Sequence, residues 1–142
     1  MRKTIFRAKS IKGESAAYLK DNADKWFVGY YVHMPGWYTG DHQLYVIEKK
    51  GYIPIRPETV GQYLEKVGSN GIPAFEGDIV RLSYSEDKYR VGIIMYDALA
   101  YTFYIYTEDK ELEWVYLFPI EIIGNATDNP ELLELYKLNH KK

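Results

Sequence analysis

A mainly β protein is expected, built as one compact unit or as two small β modules that share a core, and finished by a single short helix. Fifteen tyrosines, five phenylalanines and three tryptophans lie scattered in short runs with Val and Ile, and such residues suit a pleated, half-buried surface. Gly, Pro, Asn and Asp interrupt these runs as turns require. With 142 residues, 46% of them hydrophobic and 27% charged, the chain has enough apolar surface for a core and lacks the signature of disorder.

The first strand is expected over residues 4–8. A polar stretch, 21–25, precedes Trp26, Phe27, Val28, Gly29, Tyr30, Tyr31, Val32 and His33, a strand apolar on both faces that Pro35 and Gly36 end. Beyond a loop through Gly40 and Asp41, residues 43–47 read as a strand, and the turn at Lys49, Lys50 and Gly51 returns the chain through Tyr52 and Ile53 as a hairpin. Neither Pro54 nor Pro57 can donate to a ladder, so an edge strand or extended connector follows. From Gly77 the pattern becomes a meander with strands over 78–84, 89–96, 101–106 and 112–117, the spacing of a small sheet or barrel.

Turns 84–88 and 106–110 carry nearly the same polar string, which two hydrophilic hairpin turns share without any duplication of a unit. Alternate turns of a meander lie at one end, which places Glu86, Asp87, Glu108, Asp109 and Glu111 on one rim, repellent to a phosphate backbone. The strong helix start is Asn129, Pro130 and Glu131: an N-cap, a proline at the first helical position and an acid where the dipole favours it. The helix should span 129–138, with Leu132, Leu133 and Tyr136 on the face that docks on the sheet.

The 18 Lys and Arg against 20 Asp and Glu leave a net charge of -2, without the basic footprint of a protein held to phosphates. The absence of cysteine removes disulfides, thiol nucleophiles and Cys-ligated metal sites, and fits a reducing compartment. The basic N-terminus is followed by no apolar stretch of secretory length, and no run approaches the ~20 residues of a membrane span. A cytoplasmic protein with no membrane partner is expected, in which the sequon-like Asn125, Ala126 and Thr127 have no glycosylation meaning.

Four ordered motifs run through the chain. They are Ile55-Arg56-Pro57-Glu58-Thr59-Val60-Gly61-Gln62-Tyr63, then Phe75-Glu76-Gly77-Asp78-Ile79-Val80, then Glu121-Ile122-Ile123-Gly124-Asn125, then Asp128-Asn129-Pro130-Glu131-Leu132-Leu133. Together with Ile5-Phe6-Arg7-Ala8 and the aromatic stretch from Trp26 to Tyr31, this pattern resembles the YopX family of phage and prophage proteins over essentially the whole chain. The departure is Leu64-Glu65-Lys66-Val67-Gly68-Ser69-Asn70-Gly71, where family members usually carry a Thr-Gly turn and a Lys/Asp/Asn-rich stretch; the glycine is kept and the turn is changed. The resemblance implies a β-rich fold whose second half is similar to an SH3-like barrel, and the organisation expected is one domain over 1–142 made of two small intertwined β modules, 1–70 and 71–123, with the helix 129–138. It implies no reaction, and SH3-like barrels host peptide binders, nucleic-acid binders and structural modules alike.

No P-loop, dinucleotide fingerprint, nucleophile elbow, zinc-protease helix or calcium loop occurs, and neither enzyme activity nor a cofactor is expected. His33, Asp41 and His42 flank one loop and have the chemistry to hold a divalent metal, but nothing fixes their geometry, and incidental loop histidines are the expectation. Glu76-Gly77-Asp78 resembles an acid pair, yet a turn glycine and a turn-closing Asp at a strand entry account for it.

The aromatic content remains. Val91, Ile93 and Met95 share one face, and Tyr101, Phe103 and Ile105 oppose Thr102, Tyr104 and Tyr106. Tyr96, Tyr104 and Tyr106, with Trp37 and Tyr38, are therefore the candidate interaction surface, since Tyr and Trp join apolar area to a polar tip. Base stacking normally comes with interleaved Lys and Arg, and these strands offer only Arg81 and Arg90 beside the acidic rim. Protein contact is expected over nucleic acid: an accessory protein that forms a homo-oligomer or engages another phage or host protein. A nucleic-acid-binding module using Arg2, Lys3 and Arg7 is the alternative, and an enzyme with an unfamiliar site ranks third.

Overall fold

The aromatic and β-branched runs lie in strands. The computed structural model describes residues 4–37, 40–109 and 112–138. Its strands are β1 (Phe6–Lys9), β2 (Trp26–His33), β3 (His42–Val46), β4 (Gly51–Pro54), β5 (Gly61–Val67), β6 (Pro73–Phe75), β7 (Asp78–Ser83), β8 (Tyr89–Asp97), β9 (Thr102–Thr107), β10 (Leu112–Trp114) and β11 (Ile120–Asn125), followed by helix α1 (Pro130–Leu135). The protein is mainly β, with antiparallel sheets of six and five strands. The chain divides into two units, Met1–Tyr63 and Leu64–Lys142, and β5 passes from the first into the second.

In the first unit β2 is central. Its first half pairs with β1, from Trp26 opposite Lys9 to Gly29 opposite Phe6, and its second half pairs with β3, from Tyr30 opposite Tyr45 to His33 opposite His42. A Cβ on Gly29 would run into the Tyr45 carbonyl, so only glycine lets β3 approach there. β3 and β4 form the expected hairpin, turned by a 3-10 segment, Ile47–Lys49, and by Lys50 in the left-handed region. β4 lies at the sheet edge, where Pro54 removes no ladder bond. The core lies on one side, where Ala8, Leu44, Val46, Ile53 and Ile55 are buried and Phe27 and Tyr31 pack against them.

Several features lie outside the sequence expectations, among them β6, β11 and the two that follow. Glu14–Asn22 forms 3-10 turns interrupted at Lys20, in a stretch without helical apolar spacing. β5 contains Gln62, Glu65 and Lys66 and draws its strand conformation from β1, paired opposite Gly61 and Gln62; such a non-local partner is invisible to local pattern.

The second unit holds the expected meander, in the order β10-β9-β8-β7-β11. The strand expected over 112–117 stops at Trp114 because Lys66 holds the following turn: its Nζ donates to the carbonyls of Val115 (2.8 Å) and Phe118 (2.9 Å). Both sides of this sheet are packed over β7 and β8. Val80, Leu82, Ile94 and Ile105 face a buried layer with Leu64 and Val115, and Ile79, Val91 and Ile93 face Leu132, Leu133, Tyr136 and Leu138.

The helix thus docks through the face expected for it but is shorter than 129–138. Lys137 takes a positive φ of 53°, and the N–H of Leu138 bonds to the Leu133 carbonyl (2.7 Å) while that of Lys137 bonds to Glu134 (3.2 Å). These are the two bonds of a Schellman stop, with buried Leu138 as its apolar anchor.

Candidate functional site

Opposed residues on antiparallel neighbours share a face, so the register places each candidate tyrosine. Met95 stands opposite Tyr104 and Ile93 opposite Tyr106, whereas Tyr96 stands opposite Phe103. Tyr104 and Tyr106 share one side of the sheet, and Tyr96 lies on the other, edge-on to Phe103 with ring centroids 5.1 Å apart. The single tyrosine face expected from the sequence is therefore divided. Alternation within β8 and within β9 was legible, but their mutual register was not.

Tyr106 packs into the layer beneath α1. Tyr104 is half-buried, its hydroxyl 3.8 Å from the Met95 sulfur, and burial, then the Asp97 carboxylate, pushes its pKa up. β10 continues this side, with Leu112 opposite Tyr106 and Trp114 opposite Tyr104; they remain 62% and 54% exposed. A cavity of about 120 Å3 lies among Asp97, Tyr104, Leu112, Glu113 and Trp114. Trp37 is exposed in the loop of the first unit, where its N–H donates to Met34 (3.1 Å) and its carbonyl accepts from Gly40 (3.0 Å). Tyr38 lies outside the described residues.

The turn rim is mixed in charge. Arg90 Nε meets Asp109 Oδ2 at 2.9 Å, and the Glu108 carboxylate accepts from the Val91 N–H (3.2 Å). Lys88 and Arg90 line a cavity of about 400 Å3 there with Asp87 and Glu113; Glu111 lies outside the described residues.

His33 and His42 do meet, but as a stack, with centroids 4.7 Å apart and planes at 10°. Stacked rings do not aim their lone pairs at a common point. Tyr31 Oη hydrogen-bonds His42 Nδ1, and Asp41 Oδ1 accepts from the Gly36 N–H (3.1 Å). Among the described residues, no group of three His, Cys, Asp or Glu could hold a metal ion.

The motif residues have structural work. Thr59 Oγ1 accepts from the Lys9 N–H (2.8 Å) and donates to the Arg56 carbonyl (2.6 Å), while the Arg56 guanidinium reaches Asp24 at 2.6 Å. Buried Asp78 accepts from the Phe75 N–H (2.8 Å) across Gly77, whose φ is 93°, the turn-closing role expected of it. Asn125 Oδ1 accepts from Thr127 and Asp128. Asn129 occupies the N-cap position without capping the helix; its side-chain oxygen accepts from the Asn125 N–H instead (3.0 Å). The departing segment is tied in as well, through the Lys66 bonds and through Asn70 Nδ2 to the Ile122 carbonyl (3.0 Å). Burial lowers the Lys66 pKa.

Sequence reasoning missed the other side of the first sheet. Trp26 stands opposite Lys9 and Val28 opposite Arg7, and Tyr30 stands opposite Tyr45, which stands opposite Tyr52. Arg7 lies 4.8 Å and Lys9 5.8 Å from the Trp26 ring centroid. Val28 and Tyr30 are 50% and 42% exposed. Two signals were present: β2 is apolar on both faces, and charge is segregated along the chain. Met1–Tyr63 carries ten Lys and Arg against six Asp and Glu, a net +4, and Leu64–Lys142 carries eight against fourteen, a net -6. The whole-chain value of -2 averages two opposite units.

Fold and surfaces define a mainly β protein of two units, each presenting aromatic residues on a sheet face. No helix among the described residues is long and apolar enough to cross a membrane. The family model described as YopX protein matches residues 9–134, and the chain belongs to the YopX family. No curated protein matches the sequence.

Proposed function

We propose that this chain is a non-enzymatic accessory protein of phage or prophage origin that works through protein contacts, self-association first. The observation that carries the proposal is the half-covered side of the five-stranded sheet. α1 and Leu138 cover Ile79, Val91 and Ile93, while the β9–β10 end of the same side leaves Leu112 and Trp114 exposed beside Tyr104. An exposed apolar edge is a template for pairing with another chain, and a two-fold axis buries the same patch on both copies.

An SH3-like architecture for the second unit belongs to the same reading. Its support is a five-strand meander whose last strand returns beside the first, around an inner layer that includes Leu64, Val115 and Phe118. Such folds serve many functions, so the surface carries the proposal. Light scattering at two protein concentrations tests it. A dimer or larger species is expected, converted to monomer by Trp114→Glu with the melting temperature nearly unchanged. A wild-type chain that stays monomeric at the higher concentration overturns it.

A further inference from the structure

We propose that the open side of the first unit's sheet binds single-stranded nucleic acid. This surface belongs to a different unit from the β9–β10 edge and does not depend on self-association. Its floor follows from the way β2 changes partners. Residues Trp26–Gly29 pair with β1 and Tyr30–His33 with β3, and beyond Val46 the chain leaves the ladder as the 3-10 turn Ile47–Lys49. A groove of about 510 Å3 opens between the two, lined by Trp26, Val28, Tyr30, Ile47, Glu48 and Lys49 among others.

The chemistry of this groove is that of a stacking platform. Exposed Tyr30 and the half-buried Trp26 present flat apolar rings, on which unpaired bases of any identity can lie. Cations stand at both ends: Arg7 lies over Trp26, and exposed Lys49 lines the groove beside Ile47 and Glu48. Such cations can neutralise the phosphates that run past stacked bases. Among the described residues, Glu48 is the one carboxylate lining the groove. Nearby Asp24 is already matched by Arg56 at 2.6 Å and by Lys9 at 3.6 Å. The unit's net +4 supplies the favourable field that the whole-chain charge conceals. The open sheet side suits splayed single strands, because reading a duplex takes a helix or ribbon that enters its major groove.

Fluorescence anisotropy of a labelled oligothymidylate of about 12 nucleotides, titrated with the full chain, tests this. Saturable binding is expected at about 50 mM salt, weakened roughly sevenfold at about 200 mM, as two phosphate contacts on a single strand would require. Tyr30→Ala and Lys49→Glu, both at exposed positions, should each weaken binding roughly tenfold with circular dichroism unchanged. Tyr101→Ala, at an exposed position of the second unit, should have no effect. Any of these results overturns the proposal: no saturable binding at low salt, binding indifferent to both groove variants, or displacement by polyglutamate as effective as by unlabelled oligothymidylate. A duplex of equal length binding as tightly as the single strand also overturns it.

Discussion

The two sheets of this protein carry similar residues and treat them differently. In the second unit one side is packed by a layer that includes Leu64 and Val115, and the other is packed over β7 and β8 by α1 with Leu138. In the first unit the buried cluster lies on one side, and the other presents Trp26, Val28 and Tyr30 among Arg7 and Lys9. The charges separate in the same way, +4 against -6. What decides whether a tyrosine is core or surface is therefore the cover its own unit supplies. Tyr106 lies under a helix, and Tyr30 does not.

Removing the cover should break the contrast most severely. A chain ending at Asp128 loses Leu132, Leu133 and fully buried Leu138, which exposes Ile79, Val91 and Ile93. The expected loss is at most about 4 kcal/mol, taking fully buried Leu138 at about 2 kcal/mol and half-buried Leu132 and Leu133 at about half that each, before the entropy of ordering the segment is deducted. Urea denaturation followed by tryptophan fluorescence measures it. An unchanged midpoint would mean that the helix packing contributes nothing to stability and that the two units differ only in charge.

A smaller effect is expected in the first unit from Gly29→Ala. The added methyl group meets the backbone of Tyr45 and Val46, which cannot yield as a side chain can, so β2 and β3 must separate at a cost of about 3 kcal/mol. Gly92 in β8 stands in similar crowding against Ile105 and Tyr106. Alanine at each position, monitored by hydrogen exchange, should deprotect its own sheet first. Equal loss of protection in both sheets from either substitution would show that the two units unfold as one.

How much of this was legible in the sequence depends on the range of each signal. β2 was legible residue for residue; the β3–β4 hairpin was legible to within one residue, and the start of α1 and its buried face were legible from Pro130 and apolar spacing, although Asn129 does not cap the helix as expected. Register between β8 and β9 is a non-local choice, and so the apparent tyrosine face was drawn with Tyr96 on the wrong side. β5 was missed for the same reason, its partner β1 lying more than fifty residues away. The basic, aromatic side of the first sheet was legible in principle, since Arg7 and Lys9 alternate in β1 as Trp26, Val28 and Tyr30 do in β2. A charge summed over the whole chain concealed it.

The smallest expected effect concerns Tyr104, at the margin between the covered and uncovered parts of the second sheet. Its pKa is raised above the ordinary 10.0, first by burial and then by Asp97, so the folded chain keeps a proton that the unfolded chain has released. The unfolded state then binds fewer protons, and stability falls as pH climbs from 10.0 through the folded value. Lys66 acts with the opposite sign in a lower window. Its pKa is depressed from 10.5 by burial, so the unfolded chain holds the extra proton, and stability rises with pH up to that value. Tyr104→Phe removes only the first contribution. At neutral pH it should cost less than about 1 kcal/mol, the scale of one weak hydroxyl contact, and above pH 10.0 its stability should decline less steeply than that of the wild type. Denaturation midpoints of the two proteins across the alkaline range provide the comparison. Parallel declines would mean that Tyr104 is as wet as Trp114 beside it, which would extend the uncovered edge of the second sheet by one strand.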